Sequence, residues 1–598
     1  MKYIKIFNLI CVASVGLGMA SCDDLFEPAI ENNLGLDYMN ENAAYAEGLL
    51  GNCYVMIPES GNTSYTFSEV ATDDAVSNDA TNSYRKMAAG QWTSSSSNNP
   101  TERWRDCNFA IIYINTFLSR ADGVHWADDP MVARMFLDRE KGEAYGLRAM
   151  FRYYLLQSHS GFDINGNLLG FNIVDDPEDS NTDFNRPRDS FADCVNAIYS
   201  DCAKALELLP TKYETIVNTS QIPSKYAGAD VNQYNRVFGE SFTGRMSGAI
   251  VEAFRSRVAL MAASPAYTKS GMTWDTAADY AAVVLDHIGG ISGMDPNGCT
   301  WFSNTTEIDA LGATKLTKET IWRSTNDETN SLESDNYPPS IYGKGRVNPT
   351  QNFVDAFPMK NGYPITADKT KSGYDENNPY ADRDPRLEAM VVVNGSKVGS
   401  GSTVIVTAVD GTTKDALNKE TGSSTRTGYY LRKLLRQDIN LDPNTNTKQR
   451  HYKPRLRYTE FFLNYAEAAN EAYGPTGKGS HNYSAYDVIK AIRKRAGVGL
   501  ENGDAYLESI KENKDKMREL IRNERRIELS FEGFRFWDIR RWGLSLTETA
   551  KGMSINNAAA TYGVINVDTR NYKDYQQYGP IPYSEVLKYS NLQQNQGW

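Results

Sequence analysis

The chain has 598 residues, of which 40% are hydrophobic and 23% charged, and its net charge is −12. Those proportions are ordinary for a folded globular protein, and the acidic balance argues against a nucleic-acid binder, which needs a basic surface. The length allows several domains or one large interlocked unit.

The N-terminus carries Lys2 and Lys5, then an apolar run from Ile6 to Ala20 and small residues before Cys22. This is a secretory signal over residues 1–21, too short and wrongly flanked to span a membrane. Met19-Ala20-Ser21-Cys22 is similar to a bacterial lipobox, in which the Cys becomes the lipidated first residue of the mature chain. No other segment is apolar enough to span, so lipid is the expected membrane anchor. Residues 22–42 read as a polar tether. Cys53, Cys107, Cys194, Cys202 and Cys299 show no CxxC spacing, so they frame neither disulfides nor a zinc site, and Cys194 and Cys202, eight apart on a helix, read as small core residues.

Residues 43–57 have a helical pattern. Residues 58–102 are rich in Ser, Thr and Asn with little periodicity, which predicts a long loop, and long loops in compact proteins tend to carry function. Helical spacing resumes at 104–121 and 139–160, and again at 188–209 before Pro210, 243–263 before Pro265, and 274–288. From 289 to 453 Gly, Asn, Thr and Pro dominate, with runs at 390–393 and 404–406 that suit short strands. Helices return at 459–473, 485–496 and 514–531. On the last, Met517, Leu520, Ile521, Glu524, Ile527, Glu528 and Phe531 line one face, and two glutamates interrupt its apolar stripe. Arg525 stands three residues before Glu528, within ion-pair reach on a helix. Gly533 breaks this helix, and Phe534, Trp537 and Trp542 open a second short one. So many charges beside so many rings read as structural ion pairs closing over an aromatic core, rather than as a catalytic pair.

The stretch RNERRIELSFEGFRFWDIRRWG at 522–543 resembles the C-terminal signature of the SusD/RagB family of outer-membrane surface lipoproteins. Further segments resemble the family in the expected order: GEAYGLRAMFRYYLLQSHSGF at 142–162, PTQNFVDAFPMKNGYPI at 349–365, YADRDPRL at 380–387, RYTEFFLNYAEAANEA at 457–472, IKAIRKRAGVG at 489–499, and the closing YGPIPYSEV…NLQQNQGW. The resemblance implies a mostly α, tetratricopeptide-type scaffold around an irregular, loop-rich binding region with a few short strands. It divides the mature chain into a helical part over 43–288 and a C-terminal part over 289–598. It further implies a lipid-anchored, surface-exposed outer-membrane protein that captures a glycan, without catalysis or cofactor, for a TonB-dependent SusC-like transporter. Capture of peptides is the alternative within the family, and a surface glycoside hydrolase is the rival outside it.

A sugar ring offers an apolar face and a rim of hydroxyls, so its binder needs an exposed aromatic ring with carboxylates, amides or Arg nearby. In the family such contacts come from an early loop and from central insertions. On this chain those regions hold Asp74, Arg85, Trp92 and Asn98, and then Trp301, Trp322, Tyr337, Tyr342 and Arg346. Trp322 within KETIWRST also reads as a buried strand residue, and Trp537 and Trp542 read as core. The five His are scattered without an HxxxH pair, and no GxSxG or HExxH occurs, so spacing supports neither a metal site nor a hydrolase.

Overall fold

A computed structural model describes residues 37–58, 67–96, 99–179, 181–324 and 327–598. The signal segment, Cys22 and Asn98 lie outside the described residues. Helix takes up 46% and strand 9%, so the chain is mostly α.

A helical turn at Tyr38–Glu41, with Met39 buried in the core, lies inside the expected tether, and α1 (Ala43–Val55) follows, its first turn capped by the Asn42 side chain accepting from the Tyr45 amide. It continues through α2 (Trp104–Arg120), α3 (Pro130–His159), α4 (Phe191–Leu208), α5 (Val231–Phe238), α6 (Gly248–Ala263) and α7 (Trp274–Asp286). Asp129 caps α3 by accepting from the amides of Met131 and Val132, with Pro130 at the first helical position. That Asp-Pro pair starts the helix well before the expected residue 139.

After the irregular middle come α8 (Tyr458–Tyr473), α9 (Ala485–Arg495), α10 (Lys514–Glu528) and α11 (Arg535–Arg541), with shorter helices at Ala505–Ile510 and Tyr583–Lys588. The packing is a stack. α1 lies on α2, α2 on α3, α3 on α4, α4 on α6 and α6 on α7. α8 then joins the far side of α7 and carries α9 and α10, so the C-terminal part extends the same scaffold. Two glycines permit the close approach of α3 to its neighbours. A Cβ at Gly142 would stand 2.7 Å from Leu209, and one at Gly146 would stand 2.5 Å from Met246.

One large core runs through the stack and includes Cys53, Cys107, Cys194 and Cys202. These cysteines are free and buried, as their apolar helical settings imply. A second core gathers Phe67, Val70, Trp92, Phe353, Phe531, Phe536 and Tyr572 from the early, middle and late chain. The strands form two-stranded antiparallel ladders. The expected runs shrink to Val391–Val392, paired with Tyr430–Leu431, and Thr403–Val404, paired with Lys397–Val398. The longest ladder, Ala550–Asn556 with Thr561–Asp568, falls where sequence analysis assigned no element.

Residues 67–96 are ordered structure and not a loose loop. They form a short 3-10 turn at Ser68–Ala71, a strand at Ala75–Ser77 and a helical turn at Ser83–Lys86. The strand pairs with Val347–Pro349 in the register Ala75↔Pro349 and Ser77↔Val347, which fastens the early segment to the central insertion.

Candidate ligand-binding site

The two glutamates in the apolar stripe of α10 set the electrostatics. A buried carboxylate is tolerated when cations pair with it. Arg386 reaches Glu524 and Glu528 at 2.9 Å each and Asp384 at 2.6 Å. Arg493 holds Glu524 at 2.9 Å and Arg495 holds Glu528 at 3.0 Å. The expected structural network is present, but its wiring differs from the three-residue spacing. Arg525 turns to Asp538 of α11 at 2.8 Å, which Arg541 also holds at 2.8 Å.

This network absorbs one candidate ligand residue. Asp74 is fully buried, with Arg526 at 2.5 Å, while its neighbour Asp73 meets Arg526 and Arg535 at 2.9 Å each. Burial holds the Asp74 carboxyl above its ordinary range, against the pull of Arg526 and with the help of the Asp73 charge. Asp74 therefore anchors the early segment to α10 and offers no surface to a sugar.

Trp92 is corrected in the same way. Only 3% of it is exposed. Its ring stands 4.8 Å from Trp598, 6.1 Å from Phe536 and 6.4 Å from Tyr572, with the Arg540 guanidinium 5.5 Å from its centroid. Trp322 is also core. It sits in the strand Thr320–Arg323, donates its indole N–H to Gly244 at 2.8 Å and packs on Phe254 of α6. Tyr337 is buried, and its hydroxyl donates to the Arg436 carbonyl. None of the four presents a ring face or carboxylate outward.

The structure does bring Arg85 and Arg346 together. The Ala75–Ser77 ladder places Asn78 beside the central loop, where its side-chain amide donates to the carbonyls of Lys344 at 3.0 Å and Gly345 at 2.8 Å. Arg346 donates to the Asn78 side-chain oxygen at 3.4 Å and to the Gly422 carbonyl at 3.1 Å. Asp79 faces both arginines. Burial pushes its carboxyl up, but hydrogen bonds from Thr81 and the charges of Arg346 and Arg85 bring it below the ordinary value. Arg426 completes the shelf, pairing with Asp568 at 2.5 Å and donating to the Ser77 carbonyl at 3.2 Å. Neither Arg426 nor Asp568 stands in the sequence segments that carry the family resemblance. Asp568 sits at the end of the late hairpin, so no local pattern marks it.

On the same central loop Tyr342 is 57% exposed. Its φ is +67°, a conformation rare for a bulky residue. Gly343 behind it has no room for a side chain, since a Cβ there would meet the Tyr337 carbonyl oxygen at 2.0 Å. The loop thus folds tightly on Tyr337 and leaves Tyr342 outward, its hydroxyl donating to Asp442 at 3.2 Å.

Trp301 belongs to a separate place. It is buried, yet it lines a cavity of about 170 Å³ with Phe302, Tyr452, Phe67 and the polar groups of Arg436 and His451. Tyr452 stands 5.3 Å from its ring. His451 is held by Glu333 at 2.9 Å and Arg436 by Asp309 at 2.8 Å, so the cavity wall is pre-ordered. Its volume is below the roughly 300 Å³ at which small-molecule sites usually begin, so it suits one ring and not a chain.

Comparison with known proteins adds the family. A model described as the SusD family matches residues 317–598, and one described as starch-binding associating with outer membrane matches residues 36–231. The fold is similar to that of a SusD-like protein from Bacteroides fragilis, with a TM-score of 0.68 at 23% identity, covering 96% of this chain and 100% of that one. It is also similar to a SusD-like carbohydrate binding protein from Bacteroides fragilis, with a TM-score of 0.65 at 23% identity, covering 93% and 100%. Among curated proteins, SusD-like protein P2 of Formosa agariphila is 32% identical over 154 residues, which is 25% of this chain and 26% of that protein. The matched stretches span only 16% and 26% of the curated relatives' lengths. With both halves matched by the family's models and the fold shared almost end to end, the chain belongs to the SusD family.

Proposed function

We propose that this chain captures a glycan at the cell surface, on the shelf formed by Arg85, Arg346 and the outward ring of Tyr342, without cleaving it. The observation that carries this reading is Tyr342. A large side chain is held out of the core in a costly backbone conformation, and such strain persists where the surroundings enforce it and often marks function. An exposed phenol ring can cover a sugar face, while the half-buried Arg85 and Arg346 offer hydrogen bonds to its hydroxyls. The carbohydrate-binding names of the related structures agree with it.

Tyr342→Ala is expected to weaken oligosaccharide binding about tenfold or more, the usual cost of truncating a central aromatic anchor. Its melting temperature should match the wild type, because the ring supports no core. Calorimetric titration reads both quantities. Full affinity in Tyr342→Ala would move the site off the shelf, and the Trp301 cavity would be the next place to test.

The same reading assigns residues 1–21 as signal, Cys22 as the lipidated residue, 22–42 as tether, and 43–288 and 289–598 as the two parts of the working protein. Delivery of the glycan to a TonB-dependent SusC-like barrel belongs to it as well. Among the described residues no helix is long and apolar enough to cross a membrane. Two acyl chains hold a protein stably at a bilayer. Tagged wild-type protein should fractionate with outer membranes and bring a large barrel through gentle detergent, whereas Cys22→Ala should appear folded in the soluble fraction. Membrane retention of Cys22→Ala would refute the lipid anchor, and a pulldown free of any barrel would refute the partner.

A further inference from the structure

We infer that the C-terminal segment builds a second glycan-binding groove, apart from the Tyr342 shelf. The inference rests on the glycan-capture reading for its ligand class. Its geometry is independent of that reading.

Residues 572–578 and the chain end at 596–597 run across the turn after α3 and the turn after α6. Between them lies an open groove of about 820 Å³, inside the roughly 300–1,000 Å³ typical of small-ligand sites. The rings of Tyr575 and Tyr578 line it half-exposed, and Phe162 forms the wall. Each ring is fixed from behind. The Tyr578 hydroxyl donates to the Ala266 carbonyl at 2.7 Å, and its ring stands edge-on to Phe162 at 5.6 Å. Tyr575 stands edge-on to Trp598 at 5.2 Å. Lys269 lies over the Phe162 ring at 5.3 Å and donates to the Gly166 carbonyl at 2.8 Å, so its ammonium is held at the rim. Gly597 lets the chain end lie against Tyr575, since a Cβ there would come within 2.5 Å of that ring. Rings already locked in place lose little freedom when a ligand arrives.

The groove does not stop at this depression. Tyr572, Lys573 and Asp574 form a ridge whose other side borders a second depression of about 280 Å³, lined by Ser545, Thr547 and Gln577. Aromatic faces stand on one side of the ridge, hydroxyls and an amide on the other. A single small apolar ligand would use only the first side. A chain of several sugar residues presents ring faces and hydroxyl rims in succession and can use both.

The test is calorimetric titration of the folded mature chain with oligosaccharides of starch, xylan, cellulose and pectin. Two variants address the groove: Tyr575→Ala removes a platform, and Ser545→Trp fills the polar depression from an exposed position and leaves the cores intact. Tyr342→Ala addresses the shelf. Expected are two oligosaccharides bound per wild-type chain, falling to one in Tyr575→Ala and in Ser545→Trp, with two still bound in Tyr342→Ala but one of them about tenfold or more weaker. One oligosaccharide per wild-type chain, with affinity unchanged in both groove variants, would overturn the groove and leave the shelf standing. No binding by the wild type to any of the probes would overturn the functional reading itself.

Discussion

Arg386→Ala is expected to destabilise the chain by about 3–5 kcal/mol, the usual cost of removing one partner of a buried ion pair. The side chain is 1% exposed and stands among Asp384, Glu524 and Glu528, whose side chains are fully buried. Its loss leaves three carboxylates sharing fewer cations in a site that water cannot reach. Thermal melts and denaturant titration measure the loss, and a change within experimental scatter would show that the network is not structural. The same network sets the response to acid. Burial pushes the Glu528 carboxyl up, but Arg495, Arg386, Arg457 and Lys433 bring it below the ordinary value; Asp538 is likewise lowered, against burial, by Arg525 and Arg541. For such depressed groups the stability contribution is complete above the ordinary carboxylate pKa of about 4 and is lost as pH falls through the folded values. Glu69 has the opposite sign. Burial pushes it up to about 7, so its contribution is complete below 4.5 and fades as pH rises toward 7. The melting temperature of the wild type should therefore drop steeply in acid and ease downward between pH 5 and 8.

Trp92→Ala is expected to cost about 3–5 kcal/mol, as large-to-small changes of buried aromatics do. The indole fills the junction of Phe536, Tyr572 and Trp598 in the second core, so truncation opens a cavity that rings from three distant segments cannot easily close. Denaturant midpoints give the magnitude. Glycan affinity of the folded fraction should match the wild type, because no face of the ring is outward. A Trp92→Ala chain of unchanged stability that fails to bind glycan would restore the surface role that its polar neighbourhood first suggested.

Trp92 and Asp74 show where reading the sequence runs out. Both lie in a polar, aperiodic stretch, and local composition places them at the surface. Their partners come from the other end of the chain: Arg526 is 452 residues from Asp74, and Trp598 is the last residue. No window of sequence contains such a contact. The helices were legible because their periodicity is local, but the start of α3 was not, since the Asp129-Pro130 pair opens it ahead of the expected residue 139. Burial of the α10 glutamates could be inferred from their place in an apolar stripe. The identity of their cations could not, since Arg386 and Arg495 arrive from other elements. Of the candidate ligand residues, Arg85 and Arg346 meet because the Ala75–Ser77 ladder joins two segments that only the family resemblance connects. Arg426 and Asp568 carry no local pattern that marks them, and their pairing spans 142 residues.

The central claim is that this chain binds a glycan and leaves it whole. Titration of the wild-type mature chain with soluble oligosaccharides and with peptides, followed by analysis of the sugars recovered, tests it directly. Saturable heat is expected with at least one oligosaccharide and none with the peptides, and every sugar should be recovered at its starting length. Saturable binding of peptides alone, or the appearance of shortened sugars, would contradict it.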